Sequence, residues 1–339
     1  MEISLEMRNR KRIRIIWILV IALAVLFVID CCLGQYALSV KEVFQTFIGK
    51  GSDNAKLVMY EFRLPRICLA ILVGIAMGAS GVIMQHLLHN DLASPGTLGV
   101  ADGSSLFVTF YVALIAGNVD QPILLPILAL AGGMISAVII YLLGTKKNKP
   151  IAPIKLVMTG VAVSAAYSAA GTLAMYALDE TQMEFLQRWQ SGELWGTRWD
   201  YILILFVWTM VFLFLAMRQA HTLNVINLGY DIAAGLGVNV KKAFLSLSFT
   251  AVAISSAAAA FGGNFFFLGL IGPHIARKLI GSDARILIPA SGIVSALIIT
   301  GANLLVENIP LFMNIPTGIF VSILSVPYFI YLLIRNERF

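Results

Sequence analysis

Charge is scarce in this chain. Only 12% of its 339 residues are Asp, Glu, Lys or Arg, whereas 59% are hydrophobic and the mean hydropathy is +0.87. A soluble domain is excluded, because no single core could hide that much apolar surface. Cysteine is nearly absent: Cys31 and Cys32 are neighbours and Cys68 stands apart, which leaves no disulfide framework and no basis for a thiol metal site or redox centre. Histidine is equally sparse. His86 and His89 share a spacing of three, but no carboxylate or cysteine completes a metal site around them. The phosphate-binding pattern GxxxxGK[ST] does not occur, so ATP binding through a P-loop is excluded as well.

What is present is a series of apolar runs of about twenty residues, the length that crosses a bilayer as a helix with every backbone polar group bonded internally. Ten spans are expected, at 15–33, 65–87, 97–116, 122–144, 152–177, 201–217, 241–261, 273–282 with flanking residues, 286–305 and 316–334. The fold class is therefore an all-α polytopic membrane protein, a single domain over 1–339 with a basic tail at 1–14. The first run has the length of a retained span and lacks the small-residue cleavage site of a signal peptide. An even number of spans puts both ends on one side. That side collects 17 of the 24 Lys and Arg residues: five before residue 15, four at 146–155, three each at 218–242 and 277–285, and two at the end. By the positive-inside rule, both termini and the 223–242 segment are cytoplasmic, in the cell membrane.

The polar interruption LNVINLGYDIAAGLGVNVKK, 223–242, has the chemistry of a surface platform. Asp231 is placed to cap a one-turn helix over Ile232–Leu236, Gly237 to end it in the left-handed conformation, and Asn239 to cap the next span. An ordinary loop with good turn chemistry accounts for the same residues. On the other side, Arg63-Leu64-Pro65-Arg66 puts a proline at a helix start with two arginines beside it. Such a pair suits the carboxylates of an acidic partner, or simple interfacial anchoring.

Small residues mark two helix faces. Ala70, Gly74 and Gly78 include a GxxxG and place the second span inside the bundle. In the fifth span Gly160, Ser164, Ser168 and Thr172 recur every four residues. Close helix packing explains this stripe, and a pathway lining for a bulky solute is its functional reading. Gly262-Gly263-Asn264 ahead of Pro273-His274, and Asn90 to Pro95 ahead of Gly96 and Gly99, suggest an interrupted, restarting helix in each half. Gly78-Ala79-Ser80-Gly81 matches the GxSG of intramembrane serine proteases, with His274 the one histidine in a later span, but packing glycines around a small serine explain it better. Asp102 and Glu307 have no evident intramembrane partner. A secondary transporter driven by an ion gradient needs coupling charges within its spans, so transport by this chain calls for energy from outside it.

These motifs together resemble the FecCD-type permeases of ATP-binding-cassette importers for iron-siderophores, haem and cobalamin. The likeness runs from about residue 60 to the C-terminus, through Arg63-Leu64-Pro65-Arg66, Ser80-Gly81 with Gln85, Leu92-Ala93-Ser94-Pro95, Leu98-Gly99-Val100 and Trp189 with Gly192. It continues through Leu228-Gly229, Leu236-Gly237-Val238-Asn239-Val240, Phe267 to Arg277, Gly281-Ser282-Asp283 with Arg285, Pro316 with Gly318-Ile319, and Pro327 with Phe329. The resemblance implies a type II importer permease fold, not an enzyme, which translocates a metal chelate, foremost an iron-siderophore, by alternating access. It also implies two ATPase subunits, a second permease and an extracytoplasmic binding protein as partners, with no nucleic acid. ATP and Mg would reside in the ATPase, and this chain would bind no cofactor and no metal of its own. By the same likeness Leu228, Gly229, Asp231, Ala234, Leu236, Gly237 and Asn239 couple to the ATPase, and Arg63 and Arg66 meet the binding protein.

The chain departs from the family pattern at several places. Asp91 stands where a proline is usual, Ala284 where a histidine is, and Asn303 and Glu307 where an aspartate and an arginine are. A homodimer would present the last change twice, which points to a heterodimer. Asp102-Gly103-Ser104-Ser105 resembles the second permease of Gram-positive siderophore importers.

Overall fold

A computed structural model describes residues 2–34, 36–114, 124–145, 152–265 and 267–335, and no strand occurs among them. The first span is α1 (Glu2–Cys32), followed by the short α2 (Val40–Phe47) and α3 (Asp53–Leu57). A π-helical turn, Val58–Arg63, leads directly into α4 (Leu64–Leu88). Pro65 has no N–H to return to the preceding turn, and the wider turn spaces the chain around its ring. After a 3-10 turn at Pro95–Leu98 come α5 (Val100–Leu114), α6 (Leu124–Gly144) and α7 (Pro153–Met175). An extra helix, α8 (Glu180–Gln190), precedes α9 (Trp199–Arg218), and two short pieces, α10 (Ala220–Ile226) and α11 (Tyr230–Gly235), precede α12 (Val240–Gly262). The chain then forms α13 (Leu268–Ile280), α14 (Ala284–Asn308) and α15 (Thr317–Arg335).

Ten of these helices fall on the ten expected spans, and among the described residues seven have the length and apolar composition to cross a membrane unaided. The short ones, α5 and α13, each follow one of the expected interruptions. Gly263, at φ +84°, ends α12, and a glycine is suited to this left-handed region. Asp91 beside the first interruption forms an ion pair with Arg277 on α13, whose other nitrogen donates to Gln85 Oε1 at 3.0 Å. The two interrupted segments are thereby tied to each other.

The central helix is α4, which is buried along nearly its whole length. Added Cβ atoms at Gly74, Gly78 and Gly81 would collide with Ala296, the Ser291 carbonyl and the Gly269 carbonyl. The glycines therefore let α13 and α14 approach to backbone contact, as small-residue faces do in membranes. Hydroxyls join the layers: Ser80 Oγ donates to the Ala251 carbonyl at 2.7 Å and Ser291 Oγ to the Gly78 carbonyl at 2.9 Å. Interhelical bonds of this kind contribute on average about 0.6 kcal/mol each. Ser80 thus joins α4 to α12, and the GxSG match is a packing feature. In contrast, α1 exposes Trp17, Ile18 and Ile21, and α9 exposes Leu203, Val207 and Phe214, the outward apolar side chains that a lipid solvent favours.

Candidate functional site

Three regions carry the residues singled out in the sequence. The first is the platform between α9 and α12. Its short helix begins two residues earlier than expected: the helix is Tyr230–Gly235, with Gly229 at φ +115° as its N-cap. Asp231 is consequently not the cap but an exposed acid in the first turn, placed to favour the positive helix end. Gly237 is left-handed at φ +85°, and Asn239 caps α12 by accepting from the Lys242 N–H at 3.0 Å, both as expected.

Beneath it the platform is bonded to the bundle. The Tyr230 hydroxyl donates to the Leu87 carbonyl at the end of α4, and His89 Nε2 donates to the Ile226 carbonyl at 2.8 Å. Burial pushes the Tyr230 phenol above its ordinary pKa, so it stays a donor. The two rings meet edge to face at 4.8 Å. His89 adopts left-handed φ +46° at the end of α4, which turns it away from His86, itself buried between the Val82 and Ser282 carbonyls. A second tie comes from Asn224: its amide donates to Asp283 Oδ1 at 2.8 Å, and its oxygen accepts from the Ala284 N–H at 2.7 Å. Burial alone would raise the Asp283 pKa, but the Asn224 bond, the Arg285 N–H and the charges of Arg285 and Arg12 outweigh it and hold the carboxyl below its ordinary range.

Away from the bundle the platform shows a row of apolar side chains. Leu228, Ile232 and Leu236, four residues apart, are 59%, 54% and 64% exposed, while Ala233 faces inward. Ala234 and Gly235 beside them are open. Ile232 completes this row, although turn chemistry gave no reason to select it.

The second region is a groove made of two adjoining cavities, about 670 and 260 Å³, which share Ala101, Gln190 and Asn264. Asn264 comes from the break after α12, Gln190 from the end of α8 and Ala101 from α5. The larger cavity runs along Ile319, Ser322, Ile323 and Val326 of α15 and is mostly apolar. In the smaller one hydroxyl and amide groups predominate, among them Ser105, Thr109 and Tyr167, and Gln190 Nε2 donates to Ser105 Oγ at 2.8 Å.

The stripe on α7 divides here. Ser168 and Thr172 line the smaller cavity, whereas Gly160 and Ser164 pack against the turn before α5, where a Cβ on Gly99 would lie 2.8 Å from Ser164 Oγ and 3.5 Å from the Gly160 carbonyl. Asp102 also lines this cavity. The α15 face is readable in retrospect as apolar residues at helical spacing. The Gln190 position was not, because α8 itself was not expected.

The third region lies on the face opposite the platform. Arg63 Nη1 donates to the Cys31 carbonyl at 2.8 Å and its Nη2 to the Tyr36 carbonyl, so this side chain closes the turn after α1. Arg66 pairs with Glu307 at 2.5 Å and donates to Asn303 Oδ1 at 3.1 Å. Glu307, expected to be without a partner, therefore has one. Asp30 at the end of α1 is 3% exposed and lies in the electrostatic field of this cluster. A polar recess of about 150 Å³ separates Arg66 and Thr317 from Arg188 and Glu193 of the α8 region.

Comparison with known proteins gives a consistent set of relatives. The model of the FecCD transport family matches residues 21–335. The chain is 34% identical over 338 residues to the iron(3+)-hydroxamate import system permease protein FhuG of Bacillus subtilis (strain 168), covering 98% of this chain and 99% of that one. It is 35% identical over 333 residues to the Fe(3+)-citrate import system permease protein YfmE of the same organism, with 98% of each covered. The hemin transport system permease protein HmuU of Yersinia pestis is 32% identical, with 94% of this chain and 95% of that protein covered. Among solved structures, an inward-facing conformation of a metal-chelate type ABC transporter matches with a TM-score of 0.81 at 24% identity, over 95% of this chain and 99% of that one. At that identity the match establishes the shared fold.

Proposed function

This chain belongs to the FecCD transport family, and from that premise we propose that it is the membrane-spanning permease subunit of an ATP-binding-cassette importer for a ferric chelate, foremost an iron-siderophore. The observation that carries the reading is the platform. A row of exposed Leu228, Ile232 and Leu236 stands on a segment bonded at its back to α4 and to the turn before α14. An apolar row presented to water calls for a protein partner, and the chain has no nucleotide-binding motif of its own. A separate ATPase seated there would push on both α4 and α14 through Tyr230, His89 and Asn224.

The remaining parts take their roles from this one. With 17 of 24 basic residues on the platform side, that side and both termini are cytoplasmic. The groove between α7 and α15 is half of the translocation pathway, and a second permease supplies the facing half. The recess near Arg66 and Arg188 receives the extracytoplasmic binding protein, with Arg63 holding its rim in place. Because Glu307 already occupies Arg66, the opposite half of a heterodimer supplies the stronger cationic contact. ATP and Mg belong to the ATPase, and this chain holds no cofactor.

Affinity purification of the tagged chain from its own host, followed by reconstitution, tests the proposal. Recovery of an ATPase and a distinct homologous permease, together with ATP-dependent uptake of a ferric chelate into proteoliposomes, is expected. Recovery of the chain alone, with uptake driven by an ion gradient, would refute it.

A further inference from the structure

Among the described residues, the smaller cavity of the groove is lined by one carboxylate and no cation. Asp102 sits in the first turn of α5 and lines this cavity with Ser168, Thr172 and Gln190, and among the described residues neither cavity has an Arg, Lys or His in its lining. Asp102 makes no hydrogen bond or ion pair among the described residues. That distinguishes it from Asp91 and Glu307, whose charges are matched by Arg277 and Arg66. The positive end of α5 offsets about half a unit of charge, and the remainder is directed into the cavity. Its position gives that charge weight. Ser168 lies seven residues from Met175, which ends α7 and also lines the cavity, about 10 Å at the helical rise, so the carboxylate stands near the mouth of the groove on the side away from the platform, where an entering solute meets it.

We propose that Asp102 is a specificity-determining residue that bars anionic solutes from the groove, so that the chelate carried is neutral or cationic. This rests on the assignment of the groove as a translocation pathway. Among ferric chelates the distinction is sharp. Three hydroxamates cancel the charge of Fe(III), and a pendant amine makes the complex a cation, whereas catecholates and citrate leave an excess of negative charge. Hydroxyls and amides such as Ser105, Gln190 and Asn264 can hydrogen-bond the amide rim of a neutral hydroxamate. Those groups can bond a polyanion too, but the carboxylate beside them repels its net charge and no cation in the lining described offsets that repulsion.

The test uses the assembled importer with its binding protein in proteoliposomes. The probes are one linear ferric trihydroxamate in three forms: terminal amine free, acetylated or succinylated. These run from cation through neutral to anion at nearly constant shape. Wild-type uptake is expected to fall about tenfold from the neutral to the anionic form. Asp102→Asn should bring the two within about twofold, Asp102→Lys should reverse the order, and Asp102→Asn with Ser105→Asp should restore it by returning a carboxylate one turn away. Unchanged discrimination in Asp102→Asn would overturn the assignment, as would wild-type uptake of ferric tricatecholate or ferric citrate in preference to all three hydroxamates. Failure of the intact assembly to carry any ferric chelate would instead refute the importer reading itself.

Discussion

Removing the end of the apolar row should loosen the motor from the permease while leaving the permease folded. Leu236 is 64% exposed, so a partner can bury roughly 100 Å² of its surface, worth about 2.5 kcal/mol at ~25 cal/mol per Å². Truncation to alanine forfeits most of the apolar part of that area, about 1.5 kcal/mol, or roughly tenfold in Kd. The same change should alter the stability of the isolated chain by no more than about 0.5 kcal/mol, because an exposed side chain has little packing to lose. The assay is a titration of purified ATPase onto the permease pair in nanodiscs, run beside ATP-dependent uptake and thermal unfolding of the unbound permease. Ile232→Ala should behave alike, and the Leu228/Ile232/Leu236 triple alanine variant should lose ATPase binding at micromolar concentrations. Full affinity and normal uptake in the triple variant, at wild-type membrane levels, would refute the docking role.

Other perturbations probe the connections behind that surface. Asn224→Ala removes the bridge to Asp283 and the Ala284 N–H. At about 1 kcal/mol per bond, hydrogen exchange of 223–242 should accelerate roughly tenfold or more, and ATP hydrolysis should continue with reduced uptake; unchanged exchange would sink the bridge. Asp283 has a depressed pKa, so its contribution is complete above the ordinary aspartate value of about 3.9 and is lost as pH falls through its lower folded value. Protection of the same segment should accordingly be flat from neutral pH to about 5 and decline below 4, a decline that Asp283→Asn should abolish. Gly78→Val would drive a branched side chain into the Ser291 carbonyl, and loss of the folded monomer in mild detergent is expected, with well-ordered protein counting against the close α4–α14 contact. Arg66→Gln breaks the pair with Glu307, a partly exposed bridge worth about 1 kcal/mol or less. Little change in melting temperature but weaker capture of the binding protein is the expected combination, and unchanged capture would remove Arg66 from that interface.

Sequence by itself determined the class, the spans and the motifs. Apolar length is a one-dimensional property set by bilayer thickness, so ten spans could be read as runs of residues, including those shortened by Gly262-Gly263 and by Asn90 to Pro95. The small residues of α4 were legible for a similar reason: lacking side-chain volume, they mark a close contact before the partner is known. Turn chemistry was legible to within two residues, with Gly237 and Asn239 placed correctly and Gly229, not Asp231, taking the N-cap. The flexible glycine reached a cap conformation that the acid was expected to hold.

Tertiary structure decided which neighbour each side chain meets, because that depends on how the helices rotate and cross. It paired Glu307, which had looked isolated, with Arg66, and Asp91 with Arg277, across more than 180 residues of sequence. It divided one regular stripe between two surroundings, with Gly160 and Ser164 packed beneath Gly99 and Ser168 and Thr172 open to the groove. Helical spacing records only that residues share a face. Whether a neighbouring helix or an open cavity lies against each part of that face is fixed by where α5 and α8 end, and this left Asp102 in the groove with no counter-charge among the described residues.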